Sequence, residues 1–397
     1  MNRPLRLVLC AGEASGDMLG ASLARALKAR CPDIELAGIA GPAMSEAGVN
    51  AWHGVDELGV MGLGEVLSHL PRIYRLRQTL AAEALDHGAD GFVGIDAPDF
   101  TIGLARHLKR RGMTTFQYVS PSVWAWRGYR VRRIARSLDM LLTLFPFEPA
   151  LYQAHQLDAR FVGHPLADEL GAAMADPTSP LHDRQAAQAA LGLSGSGPVI
   201  GLLPGSRLGE IERHAGILIE AAAILRKRHE TAELVMLLAR EGDRQTVESL
   251  IGPGLKENGV RLVCAQTRIG LRACQAAIAA SGTVTLEAFL MECPLVVYYR
   301  LAPSTYWLAR GLRLVRTRHV SLPNILEGRG LIPELLQHAA TGQALADQAM
   351  RWIDTPSRRE DYLHAARSCR ERLALGAADR AAAAILERLG HAQDRRG

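Results

Sequence analysis

The sequence predicts an α/β protein made of two Rossmann-like domains that face a common cleft. A chain of 397 residues is too long to fold around one hydrophobic core and is typical of two domains. In the first half, short apolar runs alternate with segments of helical period, which indicates a parallel sheet covered on both faces. The alternation begins again near residue 196, so we expect a second domain of the same kind.

The predicted elements follow from these runs and their periods. In the first half, strands are predicted at residues 5–12, 35–40, 91–95, 114–119 and 140–144, and helices at 19–30 and 102–111. In the second half, strands are predicted at residues 199–203, 233–238, 261–264, 276–279 and 294–298, and a helix at 217–228. The expected domains are 1–190 and 196–360, followed by a helical tail over 361–397.

Composition narrows the class of protein. Hydrophobic residues make up 48% of the chain and charged residues 22%, as in soluble proteins. There is no apolar run of about 18 residues to predict a transmembrane helix. The first apolar run is too short for a signal peptide, so we expect a cytoplasmic protein. The six cysteines do not have the spacing of a zinc site. The net charge of +5 is compatible with binding to nucleic acid, anionic lipid or phosphorylated ligands.

Two motifs of the first half follow predicted strands. The sequence AGEASGD (residues 11–17) predicts a strand-to-helix turn that either approaches an anionic ligand or is merely capped by Ser15 or Asp17. The sequence GIDAPDF (residues 94–100) places Asp96 at the carboxyl end of a strand, where open α/β sheets bind ligands. Asp96 is either a general base or a helix N-cap, and Asp99 is the weaker alternative base.

Three stretches combine apolar or aromatic residues with arginine. Residues 118–139 contain Trp124 and Trp126 followed by five arginines, which suits a membrane interface or a lipid phosphate, or forms a solvated basic helix face. No nucleic-acid-binding motif accompanies them. Residues 61–80 and 304–315 predict either interfacial helices or ordinary helices that pack inward.

The second half offers groups for a nucleotide. In LLPGSR (residues 202–207), Gly205 and Ser206 supply backbone and hydroxyl donors, and Arg207 supplies a guanidinium for a diphosphate. In ASGTVTLE (residues 280–287), the turn Ser281-Gly282-Thr283 opens a helix that could hold phosphate. Glu287 could accept ribose hydroxyls or be an exposed helical residue. Asn324 could bind a sugar or shape its turn.

Together these motifs, with YVSPSVWAWR, FVGHPLAD (residues 161–168) and SLPNIL, resemble the lipid-A-disaccharide synthases of Gram-negative bacteria. The motifs occur in the family's order and spacing over nearly the whole chain. The resemblance implies a GT-B glycosyltransferase fold with a nucleotide sugar in the cleft. It also implies UDP-2,3-diacylglucosamine as donor and 2,3-diacylglucosamine 1-phosphate (lipid X) as acceptor. The products are a β-1,6-linked disaccharide 1-phosphate and UDP, formed with inversion.

The resemblance also implies roles for the residues. Asp96 is the expected base. The expected donor site comprises Gly205, Ser206, Arg207, Ser281, Gly282, Thr283, Glu287 and Asn324. The expected acceptor side comprises Glu13, Ser15, Gly16, Asp17, Ser122 and Trp124. We expect no metal, no cofactor and no nucleic acid, but contact with the cytoplasmic face of the inner membrane. The tail is expected to pack back on the chain or across a homodimer.

Overall fold

The structure, a computed structural model, describes residues 3–59, 66–124, 128–300 and 318–394. Its internal contacts divide the chain into two compact units: unit 1 is Met1–Pro165 with Leu373–Gly397, and unit 2 is Leu166–Arg372. This division differs from the boundaries expected at residues 190 and 360. Residues 166–190 pack within unit 2, and the last helix packs within unit 1.

Unit 1 contains a parallel sheet of seven strands in the order β3-β2-β1-β4-β5-β6-β7. The strands are β1 (Arg6–Ala11), β2 (Glu35–Ala40), β3 (Asn50–Gly54), β4 (Gly91–Ile95), β5 (Thr114–Tyr118), β6 (Met140–Thr143) and β7 (Asp158–Phe161). The helices are α1 (Ala14–Arg30), α2 (Pro42–Glu46), α3 (Asp56–Gly59), α4 (Val66–Asp86), α5 (Pro98–Lys109), α6 (Val131–Ser137) and α7 (Glu148–Gln153). The chain then enters α8 (Pro165–Ala175).

Unit 2 contains a second parallel sheet of six strands in the order β10-β9-β8-β11-β12-β13. The strands are β8 (Val199–Leu203), β9 (Glu233–Leu238), β10 (Val260–Cys264), β11 (Ala276–Ala280), β12 (Leu295–Tyr299) and β13 (Glu334–Leu336). The helices are α9 (Arg184–Ala190), α10 (Leu208–Arg228), α11 (Asp243–Glu257), α12 (Thr267–Ala273), α13 (Val284–Leu290), α14 (Leu322–Glu327), α15 (Gly342–Asp354) and α16 (Pro356–Leu373).

Both sheets bury their central strands on both faces. All residues of β4, β5, β8 and β11 are buried, as expected for parallel strands covered by helices on each side. The strand order reverses direction between β1 and β4 and between β8 and β11, and ligands bind at such switch points. The predicted α/β fold class with two parallel sheets is therefore confirmed.

The chain ends in a helix, α17 (Ala377–Asp394), that returns to unit 1 and packs on α1. Its apolar face is part of the core: Ala381, Ile385 and Leu389 are at most 2% exposed. Arg30 of α1 forms an ion pair with Asp379 of α17 at 2.6 Å. Within the described ranges, no helix is long and apolar enough to cross a bilayer.

Candidate active site

The candidate residues of unit 1 gather at one edge of its sheet. AGEASGD follows β1, GIDAPDF follows β4, and the segment with Ser122 and Trp124 follows β5. These three strands are neighbours, and the carboxyl ends of parallel strands meet at the same edge. The turns after β1 and β4 are in direct contact, since a Cβ added to Gly12 would lie 2.1 Å from the Ala97 Cβ.

Asp96 lies in a strained turn between β4 and α5. Asp96 has φ +52° and Ala97 has φ +42°, although neither is glycine. Left-handed conformations of such residues cost about 1–3 kcal/mol each, and strain of this kind occurs at functional sites. Ala97 is the residue that precedes α5, with no side-chain cap, so the alternative of Asp96 as a helix N-cap is not realised.

The two aspartates of GIDAPDF have different environments. Asp96 is half-buried, and burial together with the nearby Glu13 carboxylate raises its pKa above the usual aspartate value. Asp99 is 78% exposed in its side chain and forms an ion pair with Arg130 at 2.5 Å. A raised pKa suits a proton acceptor. The Asp99 carboxylate is instead exposed to solvent and already engaged by the Arg130 guanidinium.

The side chains of AGEASGD divide between surface and interior. Glu13 and Ser15 are exposed, and the Ser15 hydroxyl donates to Glu13 at 3.0 Å. Asp17 is 4% exposed and accepts hydrogen bonds from the backbone N–H groups of Gly41, Ala43 and Met44 at 2.8–3.0 Å. Asp17 therefore caps α2 rather than its own helix, and a ligand contact through this carboxylate would have to displace these bonds.

A buried carboxylate, that of Glu148, interacts with Ser120 in the segment after β5. The Glu148 carboxylate is 2% exposed and accepts from the backbone N–H groups of Leu144 and Phe145. Burial raises the pKa of Glu148 to about 7. Ser122 is exposed, and the half-buried Trp124 packs edge-on against Phe147 with ring centroids 5.7 Å apart.

In unit 2, the PGSR turn after β8 encloses an acidic side chain. The Glu210 carboxylate accepts from the backbone N–H groups of Ser206 at 3.1 Å and Arg207 at 3.3 Å. Gly205 has φ +113°, and a Cβ there would lie 2.5 Å from Glu210 Oε2. The expectation of a free backbone donor at Ser206 is therefore corrected. The Ser206 hydroxyl remains as a donor, as does the Arg207 guanidinium, whose side chain is 83% exposed.

The same turn is tied to the end of β12 by a buried histidine. His214 Nδ1 lies 2.8 Å from the Pro204 carbonyl, so this nitrogen donates. The Arg300 N–H donates to His214 Nε2 at 3.3 Å, so that nitrogen accepts. This pattern requires neutral imidazole, and burial lowers the pKa of His214 in agreement with it.

The turn after β11 lies beside the PGSR turn, because β11 and β8 are neighbouring strands. Gly282 and Thr283 are exposed at the start of α13, and Ser281 is half-buried. Glu287, one turn into α13, accepts from Arg268 Nε at 2.6 Å, and Arg268 also forms an ion pair with Glu169. A carboxylate has about four acceptor positions, so Glu287 retains capacity for ribose hydroxyls.

Asn324 is not at the surface. Its side chain is 0% exposed; it donates to the Ile332 carbonyl and to Glu334, and it accepts from the Ile332 N–H, all at 2.8–2.9 Å. Glu334 also accepts from the backbone N–H groups of Val320 and Ser321. Asn324 therefore holds the turn between α14 and β13, and donor contact through its amide would require these bonds to break.

Some predicted features lie outside the described residues. These are residues 304–315, the start of 61–80, and Trp126 with Arg127. Among the described side chains, His, Cys, Asp and Glu form no group of three that could hold a metal ion.

Residues that support the site were missed in the sequence: Glu148, Glu210, His214 and Arg268. Only Glu210 and His214 had a local signal, because both stand in the helix that follows PGSR. The others contribute through contacts between separate elements, which spacing along the chain does not reveal.

Known proteins resemble this chain over most of its length. The sequence profile of the family described as lipid-A-disaccharide synthetase matches residues 7–387. The lipid-A-disaccharide synthase of Alkalilimnicola ehrlichii is 46% identical over 391 residues, which cover 97% of this chain and 99% of that protein. The synthase of Serratia proteamaculans is 42% identical over 386 residues, with 97% and 98% covered.

Solved structures share the fold at low identity. The UDP-GlcNAc 2-epimerase of Neisseria meningitidis bound to UDP-GlcNAc has a TM-score of 0.64 and 13% identity, covering 97% of this chain and 99% of that one. MurG of Acinetobacter baumannii has a TM-score of 0.54 and 14% identity, covering 97% and 100%. The GT-B fold expected from the sequence is confirmed.

Proposed function

The chain belongs to the lipid-A-disaccharide synthetase family, and from this premise we propose the substrates, stereochemistry and catalytic residues of its reaction. It is a glycosyltransferase of lipid A biosynthesis. The proposed donor is UDP-2,3-diacylglucosamine, and the proposed acceptor is 2,3-diacylglucosamine 1-phosphate. The proposed products are the β-1,6-linked disaccharide 1-phosphate and UDP.

The proposed chemistry is one displacement with inversion. The 6-hydroxyl oxygen of the acceptor attacks C1 of the donor sugar, and the α-linked bond from C1 to the diphosphate breaks. UDP leaves with the bonding electron pair, and the hydroxyl proton passes to the Asp96 carboxylate. General base catalysis of this kind contributes about 10²–10⁴-fold in rate.

The observation that carries this proposal is the environment of Asp96. It is half-buried at the carboxyl end of a central strand, its pKa is raised, and it does not cap the following helix. Asp99 is exposed and ion-paired, which favours Asp96 over its neighbour. Glu13, Ser15, Gly16, Ser122 and Trp124 are proposed to form the acceptor side around it.

The donor is proposed to bind unit 2. The Arg207 guanidinium and the Ser206 hydroxyl would stabilise the charge that develops on the departing diphosphate. The N–H groups that begin α13, near Gly282 and Thr283, would contribute in the same way. Ser281 would contribute its hydroxyl, because its N–H donates to the Tyr298 carbonyl. Glu287, oriented by Arg268, would accept the ribose hydroxyls. Asn324 and Gly205 are proposed to act indirectly, by fixing the two turns that carry donor contacts.

Contact with the inner membrane is proposed from the chemistry of the substrates. Burial of each CH₂ contributes about 0.8 kcal/mol, so one long acyl chain contributes roughly 8–10 kcal/mol. Extracting a substrate with two chains into water is prohibitive, and the enzyme therefore works at the cytoplasmic surface of the membrane. A homodimer remains a prediction from the family resemblance.

The experiment that tests this function is incubation of the purified protein with both acylated sugars and detection of disaccharide 1-phosphate and UDP. A transferase with a soluble acceptor would instead turn over unacylated UDP-sugar without lipid or detergent. An epimerase would consume the donor without any acceptor. A nucleic-acid-binding protein would show salt-sensitive binding to RNA or duplex without a UDP site. Absence of disaccharide with folded protein would overturn the proposal.

Substitution of the proposed base gives a sharper prediction. Asp96→Asn keeps the shape of the side chain but removes its basicity, so turnover should fall by about a hundredfold or more while UDP binding is kept. The control is Asp99→Asn, which should retain most of the turnover. Near-normal turnover of Asp96→Asn would assign the proton to another group.

A further inference from the structure

A buried polar pair lies directly beneath the strained turn that carries Asp96. Gln117 of β5 and Thr101 of α5 are both 0% exposed. The Gln117 Nε2 lies 3.0 Å from the backbone carbonyl of Asp96, and the Thr101 hydroxyl lies 2.9 Å from Gln117 Oε1. Neither residue type was singled out by a motif, and the reaction proposed above leaves both without a role.

The direction of these hydrogen bonds follows from the chemistry of the groups. The Asp96 carbonyl can only accept, so the Gln117 nitrogen must face it, and the amide oxygen must face Thr101. A hydroxyl has a single proton. The Thr101 oxygen is also 3.1 Å from the carbonyls of Asp96 and Ala97, but Gln117 Oε1 is its shortest contact. Thr101 therefore orients the Gln117 amide, and Gln117 holds Asp96.

The strand next to this pair carries a glycine, Gly94, because a larger residue would collide with both side chains. A Cβ at Gly94 would lie 2.4 Å from Gln117 Oε1 and 2.7 Å from the Thr101 Cβ. On the side of β1, Gly12 lies against Ala97 so closely that no Cβ fits. The Asp96 N–H donates to the Tyr118 carbonyl at 3.0 Å, which joins the turn to the end of β5. The turn is thus held from two neighbouring strands.

We propose that Gln117 and Thr101 are positioning residues, which fix the left-handed turn at Asp96 and so hold its carboxylate where the acceptor hydroxyl is deprotonated. The inference rests on the proposed role of Asp96 as the base. The pair touches no reacting atom. Its effect is on geometry, and misplacement of a catalytic group by about 1 Å can cost about a hundredfold in rate.

The test compares variants of nearly equal shape. Thr101→Val and Gln117→Leu remove the hydrogen bonds, and each should lower kcat by about tenfold or more while KM for the donor and UDP affinity stay near the wild-type values. Thr101→Ser restores the hydroxyl and should return kcat to near the wild-type value. The acid limb of the kcat profile against pH should move in Thr101→Val and return in Thr101→Ser.

The matched control is Thr115→Val, on β5, the strand that also carries Gln117. The Thr115 hydroxyl is equally buried but bonds to the Ser137 carbonyl and Asp139, away from the turn. It should lower the melting temperature and leave kcat near the wild-type value. If kcat of Thr101→Val also stays within about twofold of the wild-type value, the positioning proposal is overturned.

A double variant separates this proposal from the assignment of the base. Residues that act through one another have non-additive effects, so Thr101→Val should not lower the residual turnover of Asp96→Asn any further. An additional tenfold loss in that background would show that Thr101 acts elsewhere, which overturns the positioning role alone. Full turnover of Asp96→Asn itself would overturn the base, and the positioning role with it.

Discussion

At the scale of single residues, the pKa of Asp96 depends on a neighbouring charge. Burial and the Glu13 carboxylate both raise it. A general base acts only when ionised, so turnover falls as the pH drops through this pKa. Glu13→Gln removes the like charge and lowers the Asp96 pKa. The variant should therefore keep its turnover to lower pH than the wild type, as measured by kcat against pH.

The control for this prediction is Asp56→Asn, which removes an exposed carboxylate elsewhere in unit 1. Its acid limb should coincide with that of the wild type. An unchanged acid limb in Glu13→Gln would mean that the charge of Glu13 does not affect the pKa of the base.

Residues of the site differ in how far the sequence could identify them. Asp96 was identifiable because it follows a buried strand and precedes a proline. Glu287 had a similar signal from the Gly turn before it. Gln117 and Thr101 had none, because each is an ordinary residue of its own element and gains its role only when β4, β5 and α5 come together. The sequence around Asn324 indicated a turn, which is compatible both with the structural role observed and with a ligand contact.

At the scale of elements, Asp17 joins α1 to the start of α2. Its carboxylate accepts three backbone N–H groups in a nearly buried position. Asp17→Ala leaves those donors without a partner, which costs about 1–3 kcal/mol of unfolding free energy for each buried group left unsatisfied. We expect a clear loss of stability in urea unfolding, with an unchanged KM for the acceptor in the protein that remains folded.

A second capping aspartate provides the comparison. Asp183 is exposed and accepts from the Ala186 N–H at 2.8 Å at the start of α9. Asp183→Ala should cost about 0.5–2 kcal/mol, as exposed helix caps do. If Asp17→Ala proves no more costly than Asp183→Ala, the buried cap is not a major support of unit 1. A selective rise in KM for the acceptor would instead return Asp17 to the acceptor side of the site.

Elements were predicted well where they are buried and poorly at the sheet edges. The bounds of β2, β4, β8 and β9 were predicted correctly from apolar runs. Of the four edge strands of the two sheets, β3, β7 and β13 were missed, because their residues are mostly half-buried or exposed and show no apolar run. The fourth, β10, was predicted to within one residue. The start of α10 was predicted nine residues too late, since its first two turns contain Gly209 and several charged residues.

At the scale of the whole molecule, both ends of the chain build unit 1. The sequence indicated a helical tail but not its partner, because amphipathic spacing shows that a face is apolar without showing what covers it. Ile385 and Leu389 of α17 complete the core beside α1. The expected tail is therefore divided: its first part, to Arg372, lies in α16 of unit 2, whereas α17 is part of the fold of unit 1.

The distribution of exposed charge in unit 1 suits the proposed work at a membrane. α4, α5 and α6 pack side by side, and right-handed crossovers put them on the sheet face opposite α1 and α17. This face, which we call the basic face, exposes Tyr74 by 59% and Tyr129 by 80%. Its helices carry the exposed arginines Arg72, Arg75, Arg106, Arg132, Arg133 and Arg136. Aromatic rings with arginines are typical of surfaces that contact anionic lipid.

Charge reversal on the basic face gives the last prediction. Each arginine near an anionic leaflet contributes about 1 kcal/mol, so loss of two arginines alone weakens binding about thirtyfold. The double variant Arg72→Glu with Arg75→Glu also adds two repelled carboxylates and should therefore bind anionic liposomes at least about thirtyfold more weakly. The matched control reverses Arg25 and Arg380, which are exposed on α1 and α17, the opposite face. It changes the net charge equally. Equal losses in sedimentation with liposomes would mean that only the net charge matters, whereas a loss confined to the first variant identifies the basic face as the surface that meets the membrane.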